Sequence, residues 1–147
     1  MQTLTVHMAP IGTPLSGGGT SAVGHMWYTL DKGDGSTPLS FGFAPITSGT
    51  PLGAGKPDNN DNDNYLNTDP TKPIVTTTPI EITQLEYDRL KAFGQDPANF
   101  GFSTFYNGLS NSCVDFVYKA FQVAGLDTPA TRTEGCSDNR SSGSCSF

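Results

Sequence analysis

A cysteine nucleophile needs a base within reach, and this chain offers three cysteines and two histidines from which to build such a pair. Cys113 stands in NSCVDFVYKAF, where small polar residues give way to an amphipathic helix. A thiolate at that point meets unpaired backbone N–H groups and the positive end of the helix dipole. A cysteine buried on the apolar helix face is the competing reading of the same position. His7 and His25 both precede Cys113. His25 opens GHMWYTL after the flexible SGGGTSAVG, so its imidazole can project from a strand end toward a helix start. His7 lies mid-strand in QTLTVHM, opposite Leu4, Val6 and Met8, and reads as a surface histidine. Trp27 shares a strand face with His25 and reads either as a groove wall or as core.

The elements that must position these residues are partly legible. Alternation predicts a strand over 2–8, and the turn residues of DKGDGSTP predict strands over 24–30 and 39–45 joined as a hairpin. From about 46 to 78 the chain loses periodicity and reads as a long loop before the short strand-like IVTTTPIEI. Thr83 and Glu86 form a capping box, Ile82 and Tyr87 a hydrophobic staple, and Gly94 a stop, predicting a helix over 84–93. A second helix is predicted over 112–124, capped by Ser110 or Asn111 and ended by Gly125. It carries Cys113, Val117, Ala120, Phe121 and Ala124 on one face.

At 147 residues the chain suits one domain. Apolar residues make up 35%, with 17 Gly and 11 Pro, which fits a loop-rich α+β or mostly β domain rather than a bundle. Eight Lys and Arg against fourteen Asp and Glu give a net charge of −6 without any basic run, so nucleic acid is not an expected partner. No run approaches the ~20 apolar residues of a membrane span, and the N-terminus lacks the charged and apolar regions of an export signal.

Two polar segments carry secondary expectations. Asp58, Asn60, Asp61, Asn62 and Asp63 crowd oxygen atoms as a calcium site does. The run fails the EF-hand pattern, since Asp63 replaces the turn glycine and Asp69 the terminal Glu, and a solvated loop with Asx turns is the first reading. The odd cysteine count leaves at least one thiol outside any internal bridge. Cys136 and Cys145 lie in the polar tail TEGCSDNRSSGSCSF, where a bridge would close a short loop and imply an oxidising compartment. Two free thiols are the alternative.

A histidine at a strand start, a hairpin, and much later NSCVDFVYKAF resemble the circularly permuted branch of the papain-like superfamily, which includes NlpC-like amidases and relatives of lecithin retinol acyltransferase. The likeness spans about 22–125 and rests on residue order and the Asn–Cys–helix signature. It implies an α+β fold, with an antiparallel sheet or half-barrel against a few helices, and a Cys113 thiolate served by His25 through a thioester. Ser40 is the nearest polar candidate for the residue that orients His25; its weakness there leaves a dyad as the alternative. Tyr106 or Tyr28 would take the place of the family's tyrosine, and each is also a credible core aromatic. Asn111 and the Cys113 backbone N–H stand where an oxyanion hole would form. The resemblance implies hydrolysis of peptidoglycan peptides by a monomer that requires no cofactor. It further suggests an effector delivered outside the cytoplasm and an immunity partner. An acyltransferase or thioesterase using the same pair, and a catalytically silent phage or secretion-apparatus domain, are the alternatives.

Overall fold

The computed structural model describes residues 1–47 and 50–127, so the expected Cys136–Cys145 bridge lies outside the described residues. Among the described residues the architecture is α+β, with seven strands in an open antiparallel sheet and three α-helices. In chain order the strands are β1 (Gln2–Ala9), β2 (His25–Asp31), β3 (Leu39–Pro45), β4 (Leu52–Asp58), β5 (Val75–Thr76), β6 (Ile80–Ile82) and β7 (Phe105–Asn107). The helices are α1 (Asp61–Asn64), α2 (Gln84–Gln95) and α3 (Cys113–Ala124), with a 3-10 turn at Pro97–Phe100. The sheet order is β5-β1-β2-β3-β4-β7, and β6 also pairs with β1.

The predicted β1 forms with the expected alternation, and the predicted β2–β3 hairpin forms beside it. Leu4, Val6 and Met8 align across the ladder with Leu30, Tyr28 and Met26, giving one apolar face. Helices α2 and α3 pack on that face. Phe116 of α3 lies at its centre, 5.0 Å from the Phe93 ring and 6.0 Å from both Tyr28 and Phe43. On the opposite face β2 presents His25, Trp27 and Thr29, all buried, so this strand is covered on both sides.

The capping box at Thr83 is present, its hydroxyl accepting from Glu86 N at 3.2 Å while Glu86 accepts from Thr83 N at 2.7 Å. Thr83→Ala removes the first bond and is expected to lower the unfolding free energy by about 1 kcal/mol, measurable by urea denaturation. Ile82 and Tyr87 are both buried, as the staple requires. Gly94 does not stop α2, which runs on to Gln95. A Cβ there would strike the Phe41 ring and approach the Tyr28 hydroxyl, so this glycine serves close packing.

The largest departure concerns the segment predicted to be a loop from 46 to 78. Residues 52–58, LGAGKPD, form β4, pairing with β3 on one side and β7 on the other. Two glycines, a proline and a lysine in seven positions give almost no β propensity, and neighbours on both edges supply what propensity does not. The single turn of α1 follows immediately.

Candidate active site

Cys113 is the first residue of α3, preceded by Ser112 as N-cap rather than Ser110 or Asn111. Asp115 closes the cap, its Oδ2 accepting from Ser112 N at 2.8 Å and from Ser112 Oγ at 3.0 Å. The thiol therefore sits at the end of α3 that carries unpaired N–H groups. Cys113 is also buried in the core cluster, so the two sequence readings of this position are compatible.

His25 begins β2, and its Nε2 lies 2.9 Å from Oδ2 of Asp61. The approach is bent from a linear hydrogen bond, so charge attraction carries much of it. Burial alone would push the imidazolium proton off. The charge and contact of Asp61, with a further push from Cys113, outweigh it and raise His25 from 6.5 to about 10. His25 thus keeps its proton through neutral pH, with Asp61 and Cys113 acting on one ring. Only 4% of Cys113, 5% of His25 and 2% of Asp61 is exposed. Low exposure strengthens the electrostatics within the group.

Asp61 corrects one expectation. Ser40 is not the residue beside His25. It stands opposite Thr29 in the β2–β3 ladder, and its buried hydroxyl has no partner among the described residues. Asp61 itself turns toward His25, with only 2% of it exposed. Asp58 Oδ1 accepts from Asn60 N at 2.8 Å, an Asx turn that folds the chain back so that Asp61 points inward while Asp63 stays exposed. The carboxylate has room because the facing residue of β3 is Gly42, where a Cβ would collide with Asp61 Oδ2 and press on His25 Nε2.

The other sequence candidates divide. Tyr28 belongs to the core, its hydroxyl donating to Leu90 O at 2.7 Å on the helix-covered face, which corrects its assignment to a substrate site. Tyr106 is near the thiol: burial first, then the charges of Cys113 and Asp115, push its hydroxyl up to about 12. Asn111 spends its Nδ2 on Ser103 O and Phe105 O, each at 2.7 Å, and so pins the loop before α3 instead of facing a substrate. Trp27 does line the site, stacked 5.7 Å from His25. His7 is half-buried against Trp27 at 5.1 Å, its Nε2 2.9 Å from Thr29 Oγ1, which corrects the surface reading.

Tyr65 escaped the sequence reading. Its ring stacks on His25 at 4.7 Å and on Trp27 at 5.2 Å. Its backbone N–H bonds to Asp61 O at 3.0 Å, so one helical turn brings a carboxylate to the edge of the imidazole and an aromatic ring to its face. The available signal was an acid and an aromatic four residues apart, DNDNY. A stacked pair contributes roughly 0.5–1.5 kcal/mol. Tyr65→Ala is therefore expected to slow Cys113-dependent turnover by up to about tenfold, while Tyr65→Phe, which keeps the stack, stays within about twofold. Steady-state kinetics on the two variants checks this.

No family model, curated protein or solved structure matches the chain. Among the described residues no helix is long and apolar enough to cross a membrane.

Proposed function

We propose that this chain is a cysteine hydrolase of amide bonds, with Cys113 as nucleophile, His25 as acid and base, and Asp61 as the residue that orients His25. The observation that carries the reading is the buried His25–Asp61 pair at 2.9 Å, with Cys113 at a helix start acting on the same ring. Such a constellation is recognised by geometry and roles rather than by residue order. In the proposed reaction the Cys113 thiolate adds to the substrate carbonyl. The developing oxyanion is met by N–H groups at the start of α3, that of Cys113 among them. His25 gives its proton to the departing amine as the C–N bond breaks, leaving a thioester on Cys113. His25, now neutral, takes a proton from water, which attacks the thioester and releases the acid and the thiolate.

The papain-like, NlpC-like arrangement in permuted order belongs to this proposal, supported by a strand histidine and a carboxylate that both precede a helix-start cysteine. So does the substrate, the peptide of bacterial peptidoglycan met outside the cytoplasm. Incubation with purified peptidoglycan, followed by mass analysis, tests it. New amine and carboxyl ends that vanish in Cys113→Ala support the reading, and intact peptides with wild-type protein sink it. A thiol probe separates the silent-domain alternative, since only a catalytic pair predicts fast labelling of Cys113 that slows in His25→Ala.

Acyl transfer through the same pair has one observation in its favour. A cavity of about 400 Å³ lined by Pro51, Leu52 and Asn107–Leu109 lies beside the loop that leads into α3. Leu52 and Leu109 of this lining are exposed. Turnover of long-chain thioesters faster than of peptides would select this reading.

A further inference from the structure

A second cavity, of about 330 Å³, opens on the face of the sheet that carries His25. Trp27 and Tyr65 form part of its wall, and both rings also stack on His25, so an occupant lies one ring away from the proposed base. His7, Asn62, Asn67 and Thr76 supply its polar lining. No carboxylate, ammonium or guanidinium group is among the lining residues. Burial holds His7 down to about 4, so this ring is uncharged at neutral pH.

The polar groups have bonds to spare. Asn62 Oδ1 makes one long contact, 3.4 Å from Trp27 Nε1, and no partner of its Nδ2 is seen among the described residues. Asn67 accepts from Ile74 N at 3.1 Å through Oδ1 and likewise keeps its amide donors. Neutral donors and acceptors arranged beside aromatic rings suit a ligand with an apolar C–H face and uncharged polar groups at its rim. A charged ligand would lose hydration with no opposite charge to meet.

We propose that this cavity, walled by Tyr65 and Trp27 and lined by Asn62, Asn67 and Thr76, binds a neutral saccharide, with an N-acetylated hexose ring as the class of occupant. An acetamido group matches the carboxamides of Asn62 and Asn67, and ring hydroxyls match Thr76. Where the proposed hydrolase reading also holds, the site seats the sugar that carries the peptide; the binding itself rests only on the cavity.

Trp27 is the sole tryptophan and a wall of the cavity, so its fluorescence reports occupancy directly. Titration of the full chain with diacetylchitobiose is expected to give a saturable change. Glucosamine, which carries an ammonium group, is expected to bind at least about tenfold more weakly. Asn62→Ala, at an exposed position, and Ile74→Phe, which fills the cavity from its rim, are each expected to weaken the disaccharide by about fivefold or more. The absence of a saturable change overturns the proposal, as does equal affinity in both variants. Tighter binding of a neutral peptide such as acetyl-dialanine amide would assign the cavity to the peptide instead and also overturn it. No turnover occurs in the titration, so failure to cleave peptidoglycan leaves its outcome unaffected.

Discussion

Asp61→Asn is expected to lower kcat/KM by roughly 10²–10⁴-fold, the usual contribution of a positioned acid–base group, and to move the alkaline limb of the pH profile downward. The first effect follows from orientation. Asn preserves the volume at a site where only 2% of Asp61 is exposed, but it offers the imidazole no charge. The second follows from the balance on His25. Burial favours the neutral ring, and the Asp61 charge is the largest influence that opposes it. With Asp61 present the imidazolium persists until about pH 10. Without it, burial dominates, and His25 is neutral at pH 8, unable to protonate the leaving amine. A kcat/KM profile from pH 5 to 10 checks both parts. An unchanged alkaline limb with reduced activity would mean that Asp61 does not act through His25.

The same pair links stability to pH. In the unfolded chain His25 titrates near its ordinary 6.5, whereas in the fold it holds its proton to about 10. Below pH 6.5 both states are protonated and the stabilisation is fully present. Between these values the unfolded state releases a proton that the folded state keeps, so the stabilisation declines with rising pH, and it is lost once pH passes through about 10. Urea unfolding at pH 6, 8 and 10 should show this decline in wild type and a much flatter dependence in Asp61→Asn.

What was legible in the chain was local. Thr83 with Glu86, the run of Val117, Ala120, Phe121 and Ala124, and the alternation of Leu4, Val6 and Met8 each state a rule that the fold obeys without help from distant residues. Cys113 and His25 could be paired from their places at a helix start and a strand start, because the only other histidine lies mid-strand. The acid could not. Asp61 is one of five residues of similar chemistry, with Asp58, Asn60, Asn62 and Asp63, and it turns inward because an Asx turn and a one-turn helix aim it there. Ser40 was sought on the next strand, yet the ladder sets it beside Thr29, away from the start of β2. β4 was illegible for the opposite reason: LGAGKPD has no pattern of its own, and its strand form is set by pairing with Gly42–Pro45 and Phe105–Asn107.

Gly42→Ala tests the same assembly from the other side, because the added methyl group would occupy the space of the Asp61 carboxylate without touching its chemistry. Two responses are open to the protein. Either β3 moves, which costs stability along a ladder that also holds Trp27 and Tyr28, or Asp61 swings away from His25. The carboxylate is the end of a side chain on a single turn of helix, while β3 is paired on both edges, so Asp61 is the group that yields. The variant should therefore fold, lose activity on the scale of Asp61→Asn, roughly 10²–10⁴-fold, and show the same downward move of the alkaline limb. Combining the two changes provides the decisive measurement. If Gly42 acts by giving Asp61 room, the double variant loses little beyond Asp61→Asn alone, since an interaction already removed cannot be removed twice. Losses that simply multiply would mean that Gly42 supports catalysis by another route, and that the close approach of strand, carboxylate and imidazole does not set the activity.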